Sequence, residues 1–359
     1  MTTNTNTPSV FAKMIGHSLL QAKGLLDTAV RDSTKPFSTP EIITPRFDES
    51  RYGWTHYGLF FANLPEPHRY LNIMILLGAP SALAFDQDFL YKTTPRQSAT
   101  FFSGTAASKG SLLKAYVIGE DCLANPDGSD LTLGTELKIS GKYPSLHVQG
   151  EYQGLVIDFQ VQVTDQISWF IKNVVYDHLS LLATYQGSIS HAGQTTETSG
   201  LCTYEYARSF GMYSLFNKPI DEAHKIPLNF FTYQVINLDE HTQILLTKAD
   251  VLNQPAAYTV HIRHLNGKPE VYTDVLFEVT EYQQPTIGLD GHATRLPQTL
   301  RWLVKDTGKT LLDITGEVDT EFRFGHGRGY AGSYRFSGEY RGQPAQGRGY
   351  IEYVDIKID

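Results

Sequence analysis

The sequence has few cysteines and lacks both a long apolar run and a block of charge of one sign. Its 359 residues include two cysteines, Cys122 and Cys202, too few for a disulfide framework or a CxxC metal site. We expect two buried free thiols, with a single bridge as the alternative. No apolar stretch is long enough to cross a bilayer, and the N-terminus lacks the basic start and apolar run of a secretory signal. These absences predict a cytoplasmic protein without stable membrane insertion.

Missing charge clusters and motifs exclude several classes of partner and cofactor. The formal net charge is −8, and the basic residues form no cluster that would attract nucleic acid. His261 and His264 would point to opposite faces of a strand, and no HxH or HExxH pattern occurs. The segment GHGRG at 325–329 has no helix after it to hold a phosphate, and no GxSxG nucleophile motif is present. We expect no nucleic-acid partner, no metal and no cofactor.

Aromatic residues and glycines are abundant. The 21 tyrosines, 19 phenylalanines and 30 glycines favour strands and tight turns. From Leu155 to Thr164 apolar and polar residues alternate, which is typical of a half-buried antiparallel strand. Further strands are predicted at 51–62, 69–79, 97–104, 114–119, 131–139, 145–152, 169–176, 178–190, 229–238, 241–248, 257–265, 270–281, 299–305 and 310–315. This order, with almost no helix, indicates an all-β antiparallel barrel or sandwich.

One amphipathic helix is predicted at the N-terminus. Thr7 is a suitable cap and Pro8 suits the first turn. The apolar residues that recur at helical spacing are Val10, Phe11, Met14, Ile15, Leu19, Ala22, Leu25, Leu26 and Ala29. This stripe fits a helix packed on a barrel wall or across its mouth. The alternative is a helix that covers a ligand entrance or touches a membrane, although only Lys13 and Lys23 supply nearby positive charge.

A faint internal repeat divides the chain. The last hairpin, Tyr334 to Tyr353, has a weaker copy at Tyr185 to Tyr206. When Gly200 is aligned with Gly347, Glu205-Tyr206 falls on Glu352-Tyr353, and Gly187 falls on Gly338 once a short loop difference is allowed. Strand signals lapse at 207–228. The repeat predicts two β-domains, at 51–210 and 211–359, after a helix and linker at 1–50.

The two ends of the chain resemble a known group of proteins. The closing residues are Tyr334, Phe336 and Gly338-Glu339, followed by Gly347-Arg348-Gly349-Tyr350-Ile351-Glu352, and the opening strand is Gly53 to Gly58. This pattern resembles the tandem lipocalin-like (calycin) family of AttH, hydroxyneurosporene synthase (carotenoid hydratase), kievitone hydratase and the lipocalin-like Diels–Alderases. The resemblance implies two lipocalin-like barrels in tandem, with a pocket in or between them for a terpenoid, polyketide or lipid. It also implies catalysis without metal or organic cofactor.

Four residues are candidates for acid–base catalysis. His56 lies between Trp54 and Tyr57 in sequence, and a histidine facing an apolar interior can exchange a proton near neutral pH. The alternative is an outward or hydrogen-bonded wall histidine. Asp86 and Asp88 share a face if extended, and two close carboxylates can leave one protonated; the alternative is a pair of exposed loop aspartates. His178 is the fourth candidate, although the adjacent Asp177 should point away from it.

Other residues are assigned to the pocket or to the fold. The candidate ligand-binding residues are Trp54, Tyr57, Asn72, Trp169, Tyr233, Arg323 and Arg328. The two arginines, with His326 and Tyr330, could bind a ligand carboxylate, or they could belong to a solvated turn. Glu205 and Glu352 occur in both copies of the repeat, and we assign them a structural role because an active site is seldom duplicated. Arg348 is treated in the same way.

Two functions and one inert alternative remain open. The first is a cofactor-free hydratase, isomerase or cyclase that excludes water, fixes the substrate's shape and supplies a proton from one buried acid. The second is a non-catalytic carrier that holds the same hydrophobic molecule. The third is a scaffold whose aromatic core fills all of the interior. Catalyst and carrier need the same apolar walls, so the sequence does not separate them.

Overall fold

The protein is built almost entirely from antiparallel strands. The computed structural model describes residues 6–46, 49, 51–107 and 111–358, with the side chains of Ala22, Gly24 and Leu25 outside the description. Its strands form two large barrel-like sheets and one small two-stranded sheet. The all-β prediction with an N-terminal helix is therefore confirmed.

The first large sheet contains the strands between Trp54 and Ser209. They are β1 (Trp54–Phe61), β2 (Leu71–Gly78), β3 (Ser98–Gly104), β4 (Leu112–Val117), β5 (Cys122–Ala124), β6 (Asp130–Leu133), β7 (Leu137–Lys142), β8 (Ser145–Tyr152), β9 (Leu155–Lys172), β10 (Tyr176–His191) and β11 (Gln194–Ser209). Their order is β4-β3-β2-β1-β11-β10-β9-β8-β7-β6-β5. The first strand thus pairs with the last, and the two edge strands are consecutive in the chain.

The second large sheet repeats this arrangement. Its strands, with the small sheet between them, are β12 (Leu228–Asn237), β13 (Thr242–Val251), β14 (Gln254–His264), β15 (Glu270–Tyr272), β16 (Val275–Tyr282), β17 (Thr286–Ile287), β18 (Ala293–Thr294), β19 (Pro297–Asp306), β20 (Lys309–Val318), β21 (Arg323–His326), β22 (Gly329–Tyr340) and β23 (Gln343–Asp355). The order is β15-β14-β13-β12-β23-β22-β20-β19-β16, with β21 on β22. Again the first strand pairs with the last, and the edges are consecutive. The division into domains stays a prediction.

Three predicted strand boundaries were wrong. The segment 131–139 is two strands, because Gly134 turns the chain with φ +53°. Glu270 to Glu281 is likewise divided between β15 and β16. In contrast, the predicted strands at 155–164 and 169–176 are mostly one strand, β9, whose pairing with β10 shifts register and then continues. Cross-strand pairing therefore decides continuity where the local sequence indicates a break.

The helical segment differs from the predicted single stripe. It consists of α1 (Val10–Leu26) and α2 (Ala29–Asp32). Ser9, not Thr7, caps α1 by accepting a hydrogen bond from the Ala12 amide at 3.2 Å. Exposed members of the predicted stripe are Val10, Phe11, Met14 and Leu26, while Ala22 and Leu25 lie outside the described side chains.

Small residues decide which face of α1 is buried. Ala12 is fully buried, and a Cβ at Gly16 would lie 2.8 Å from Leu252 Cδ1 and 2.9 Å from Pro227 Cγ. The helix therefore approaches the second sheet closely along a face without bulky side chains. Of the apolar residues on other faces of α1, Ile15 and Leu19 are half-buried, and Phe11 and Met14 are exposed.

Each large sheet encloses a core, and a third core lies between them. In the first sheet Phe61, Phe159 and Tyr185 pack with ring centroids 4.8–5.2 Å apart. Between the sheets Phe60 contacts Tyr233 and Tyr350 at 5.3 and 5.2 Å. Because side chains alternate along a strand, Phe61 faces its own barrel and Phe60 faces the other sheet. The outer faces of β1 and its neighbours are thus covered by β12 and its neighbours.

The repeated glycines allow two strands to approach each other closely. A Cβ at Gly187 would lie 2.0 Å from the Asp158 carbonyl oxygen, and one at Gly338 would lie 2.0 Å from that of Asp313. We expect Gly338→Ala to lower the free energy of unfolding by about 2–3 kcal/mol, because the partner strand must move. Urea unfolding measures this, with Ser337→Ala at the exposed neighbouring position as the control. Equal stability of the two variants would contradict the packing argument.

Candidate functional site

Two adjoining cavities lie between the large sheets. The larger has a volume of about 440 Å³ and the smaller about 40 Å³. Residues that line both are Trp54, Pro80, Phe85, Tyr176, His178 and Phe231. The larger cavity is bounded by β9, β10, β12, β13 and α1, and its wall is mostly apolar. Its size is typical of sites for small organic molecules.

His178 occupies the wall that the two cavities share. Its Nε2 lies 2.7 Å from Glu205 Oε1, and its Nδ1 lies 3.0 Å from the Tyr176 hydroxyl. An ionised carboxylate can only accept, so His178 donates from Nε2, and the Tyr176 hydroxyl donates to Nδ1 when the ring is neutral. His178 and Glu205 are both buried. The three side chains form a tyrosine–histidine–carboxylate chain that begins at the cavity wall.

His56 approaches the same carboxylate from the other side. Its Nδ1 lies 3.0 Å from the Ile75 carbonyl oxygen, and its Nε2 lies 3.5 Å from Glu205 Oε1. The carbonyl oxygen can only accept, so Nδ1 carries a proton and Nε2 faces Glu205. Glu205 therefore lies between two imidazole rings. One is oriented by a main-chain carbonyl and the other by a tyrosine.

The second sheet contributes another carboxylate and histidine to this region. Glu352 Oε1 accepts a hydrogen bond from the Tyr350 hydroxyl at 2.8 Å, and its Oε2 lies 3.3 Å from His326 Nε2. His326 lines the smaller cavity together with His56, His178 and Glu205. Both glutamates are buried and come from equivalent positions in the repeat.

The two glutamates have opposite pKa shifts. Burial alone would raise the pKa of Glu205, but the charges and hydrogen bonds of His178 and His56 outweigh it and lower the pKa to about 2. Burial raises the pKa of Glu352 well above its usual range, and the negative charge of Glu205 adds to this shift. Burial also lowers the pKa of His326 to about 3. These shifts favour the ionised form of Glu205, the protonated form of Glu352 and the neutral form of His326.

Such a separation of pKa values suits acid–base chemistry. The ionised Glu205 can stabilise an imidazolium on His178, so His178 can accept a proton and return it. The protonated Glu352 keeps a second negative charge away from the same buried space. Within the described residues, no group of His, Cys, Asp and Glu side chains has the arrangement of a metal site. The geometry supports proton transfer by side chains.

Residues 74–358 match the model of DUF6670, a family of unknown function. The chain belongs to this family. No curated protein sequence matches it.

Two solved structures have the same fold. The first is a putative AttH from Nitrosomonas europaea, at 14% identity and a TM-score of 0.60, over 90% of this chain and 98% of that chain. The second is kievitone hydratase from Nectria haematococca, at 12% identity and a TM-score of 0.56, over 90% and 94%. The resemblance to AttH-like lipocalin-like proteins is confirmed at the level of the fold.

Among the described residues, no helix combines the length and apolar character needed to span a bilayer.

Two of the four candidate catalytic residues meet in the site. His56 and His178 both contact Glu205. Asp86 is fully buried, but it accepts hydrogen bonds from Tyr91 and Tyr213 at 2.5 and 2.6 Å and lies 3.1 Å from Lys225 Nζ.

Asp88 also pairs with Lys225, at 2.8 Å. The residues that line the two cavities include neither aspartate. The interpretation of Asp86 as an exposed loop residue is thus wrong, because its three partners fix the loop after β2.

The candidate ligand-binding residues are spread over three environments. Trp54 lines both cavities. Tyr57 and Trp169 belong to the core inside the first sheet, because they alternate with the residues that face outward. Tyr233 and Asn72 are buried on the facing sides of the sheets, where Tyr233 lies 3.4 Å from Ser180 Oγ and Asn72 donates to the Phe102 carbonyl oxygen.

The two arginines are held by glutamates. Arg323 pairs with Glu321 at 3.0 Å, and the buried Arg328 pairs with Glu222. Neither lines the two cavities, whereas His326 lines the smaller one. The arginine at 328 therefore does not belong to a solvated turn.

Sequence reasoning missed Tyr176, Glu205 and Glu352 as site residues, and it considered His326 only as a companion of the two arginines. The repeat contained the signal, since it placed Glu205 on Glu352. We interpreted repetition as evidence against a site, but the two copies meet where the sheets face each other. The opposite pKa shifts of two nearby carboxylates, which we expected for Asp86 and Asp88, are found in Glu205 and Glu352.

The raised pKa of Glu352 gives a stability prediction. Above pH 4.5 the unfolded chain loses the Glu352 proton while the folded chain keeps it, so the wild type becomes less stable as pH rises. Glu352→Gln lacks this penalty and resembles the protonated acid. We expect its stability relative to wild type to increase as the pH rises from 4.5 toward the raised pKa of Glu352, by up to about 1.4 kcal/mol per pH unit. Urea unfolding at several pH values tests this, with the exposed Glu339→Gln as the control; a pH-independent difference would contradict it.

Glu205 should behave in the opposite way. Its pKa is lowered from 4.5 to about 2, so its ionised form stabilises the fold above pH 4.5, and this contribution disappears as the pH falls toward 2. We expect Glu205→Gln to destabilise the protein by about 3 kcal/mol at pH 7, because two histidines lose their carboxylate. The deficit should shrink below pH 4.5 in the same experiment. A deficit that grows on acidification would be evidence against the ionised state.

Proposed function

We propose that the protein binds a hydrophobic small molecule between its two sheets and transfers protons on it without a cofactor. The reaction class is hydration, isomerisation or cyclisation. The observation that carries the proposal is the histidine–carboxylate cluster at the wall of a largely apolar cavity. The fold shared with a protein named kievitone hydratase is compatible with this class and is not evidence for the reaction.

His178 is the proposed proton carrier. Its Nε2–H donates to Glu205 Oε1 at 2.7 Å, so Nδ1 is the basic nitrogen. We propose that the substrate or a bound water replaces the Tyr176 hydroxyl as the partner of Nδ1, which then takes a proton from a substrate C–H bond or from that water. The resulting imidazolium is stabilised by the negative charge of Glu205. It then returns the proton to a substrate carbon, which completes an isomerisation or, with addition of the water oxygen, a hydration.

Tyr176 is proposed to position the transferred proton. Burial raises the pKa of its hydroxyl above its usual range, so the hydroxyl stays protonated at neutral pH. At 3.0 Å from His178 Nδ1 it can hold the ring in place before the substrate binds. Phe170, with its ring centroid 4.9 Å from that of His178, excludes water on one side of the imidazole. The ligand site is therefore proposed between the sheets and not inside a barrel.

The test begins with the molecule that the protein carries. Native mass spectrometry of the protein from its own source, followed by solvent extraction, identifies a bound hydrophobic molecule. We expect wild-type protein in D₂O to add deuterium to its carbon atoms or to add a molecule of water. His178→Gln should reduce this rate at least about 100-fold while the molecule still binds.

A surface pair provides the matched control. His147 Nε2 lies 2.7 Å from Asp158 Oδ1, the same distance as in the His178 pair, but on an exposed part of the first sheet. His147→Gln should therefore react at the wild-type rate. A bound molecule that the wild type leaves unchanged would instead indicate the carrier. Failure to recover any molecule, with no uptake of a hydrophobic dye, would leave the filled scaffold.

A further inference from the structure

The described wall of the larger cavity includes one lysine, Lys23. Among the described residues that line it, Lys23 is the only lysine, arginine, aspartate or glutamate. Burial lowers the pKa of Lys23, and the charge of Asp27 opposes this shift. A lysine in a largely apolar wall is unfavourable unless an anion accompanies it.

In the described part of the chain, Lys23 lacks the close carboxylate partner that the buried Lys225 and the half-buried Lys172 have. Lys225 pairs with Asp88 at 2.8 Å, and Lys172 pairs with Asp32 at 2.8 Å. Within the described part of the chain, no hydrogen bond or ion pair joins the Lys23 ammonium to another side chain.

Asp27, one helical turn from Lys23, is already engaged with the main chain. Its Oδ1 accepts from the Ala29 amide at 2.9 Å and from the Lys172 amide at 3.1 Å. These bonds fix the carboxylate at the end of α1. The ammonium of Lys23 is thus available to a ligand.

The helix around Lys23 provides an apolar path along the cavity. Ile15, Leu19 and Lys23 line the cavity at a spacing of four residues, so they share one face of α1. This face is about 12 Å long at a rise of 1.5 Å per residue. An extended apolar chain can lie on Ile15 and Leu19 while its charged end contacts Lys23.

We propose that the cavity takes an amphiphile with a single carboxylate, which pairs with Lys23 while the apolar body fills the space between the sheets. The inference rests on the proposed function, because it names the class of molecule that the same cavity holds. A monoanion fits better than a phosphate ester. Among the described residues of the cavity wall, Lys23 is the one lysine, and none is an arginine that could bind a phosphate through two hydrogen bonds.

Isothermal titration with two probes of equal chain length tests the proposal. We expect wild-type protein to bind decanoate about tenfold more tightly than decan-1-ol, because only decanoate can form the charge-assisted hydrogen bond. Lys23→Gln should weaken decanoate binding about tenfold and change decan-1-ol binding less than twofold. The affinity of wild type for decanoate should also fall at alkaline pH, as Lys23 loses its proton.

Lys13→Gln is the matched control, since Lys13 lies on the same helix but does not line the cavity. It should leave both affinities unchanged, and circular dichroism should show the same helix and strand content for all three proteins. Equal wild-type affinities for the two probes would overturn the inference, as would a Lys23→Gln variant that loses both probes to the same extent. If neither probe binds wild type, the proposed cavity itself is wrong; if only decan-1-ol binds, the inference fails and the apolar site stands.

Discussion

The burial of the Glu205 charge between two sheets is the interaction on which the site depends. A carboxylate without water is strongly destabilising unless hydrogen bonds and opposite charge compensate it. His178 at 2.7 Å and His56 at 3.5 Å provide that compensation. Glu352 is buried without such compensation, and burial raises its pKa, which favours the protonated form beside Tyr350 and His326. Burial is thus the main cause of the pKa shifts of Glu352 and His326, whereas the two neighbouring histidines determine that of Glu205.

Strand register brings these side chains together. His56 and His178 both pair with Ala207 in the sheet, two residues along β11 from Glu205. Because side chains alternate, all three face the second sheet and leave the barrel interior to residues such as Tyr57. Glycine at position 58, opposite Glu205, leaves room for this arrangement, since a Cβ there would lie 3.1 Å from Glu205 Cβ and 2.7 Å from the Phe60 ring. The site is a product of the antiparallel pairing of β1, β10 and β11.

The second sheet gives this polar surface an apolar boundary. Phe231 and Tyr233 of this sheet, together with Phe170 of β9 in the first sheet, surround the region of His178, which is buried. The same covering leaves the larger cavity open beside the cluster, with α1 along one wall. Aromatic residues therefore serve two different purposes in this chain. Those on the inner faces of the sheets, such as Phe61, fill the barrels, and those on the outer faces, such as Phe60, join the barrels to each other.

The sequence by itself determined the all-β class, the N-terminal helix, the repeated hairpin and the candidacy of His56 and His178. These features depend on local alternation, turn residues and helical spacing, which are readable along the chain. Only the tertiary structure decided that Glu205 and Glu352 share a buried region and that Asp86 is bound to Lys225. It also decided that the cavity lies between the sheets. Residues far apart in the chain meet through strand order and sheet packing. A local sequence pattern does not show which outer faces of the two sheets pack against each other.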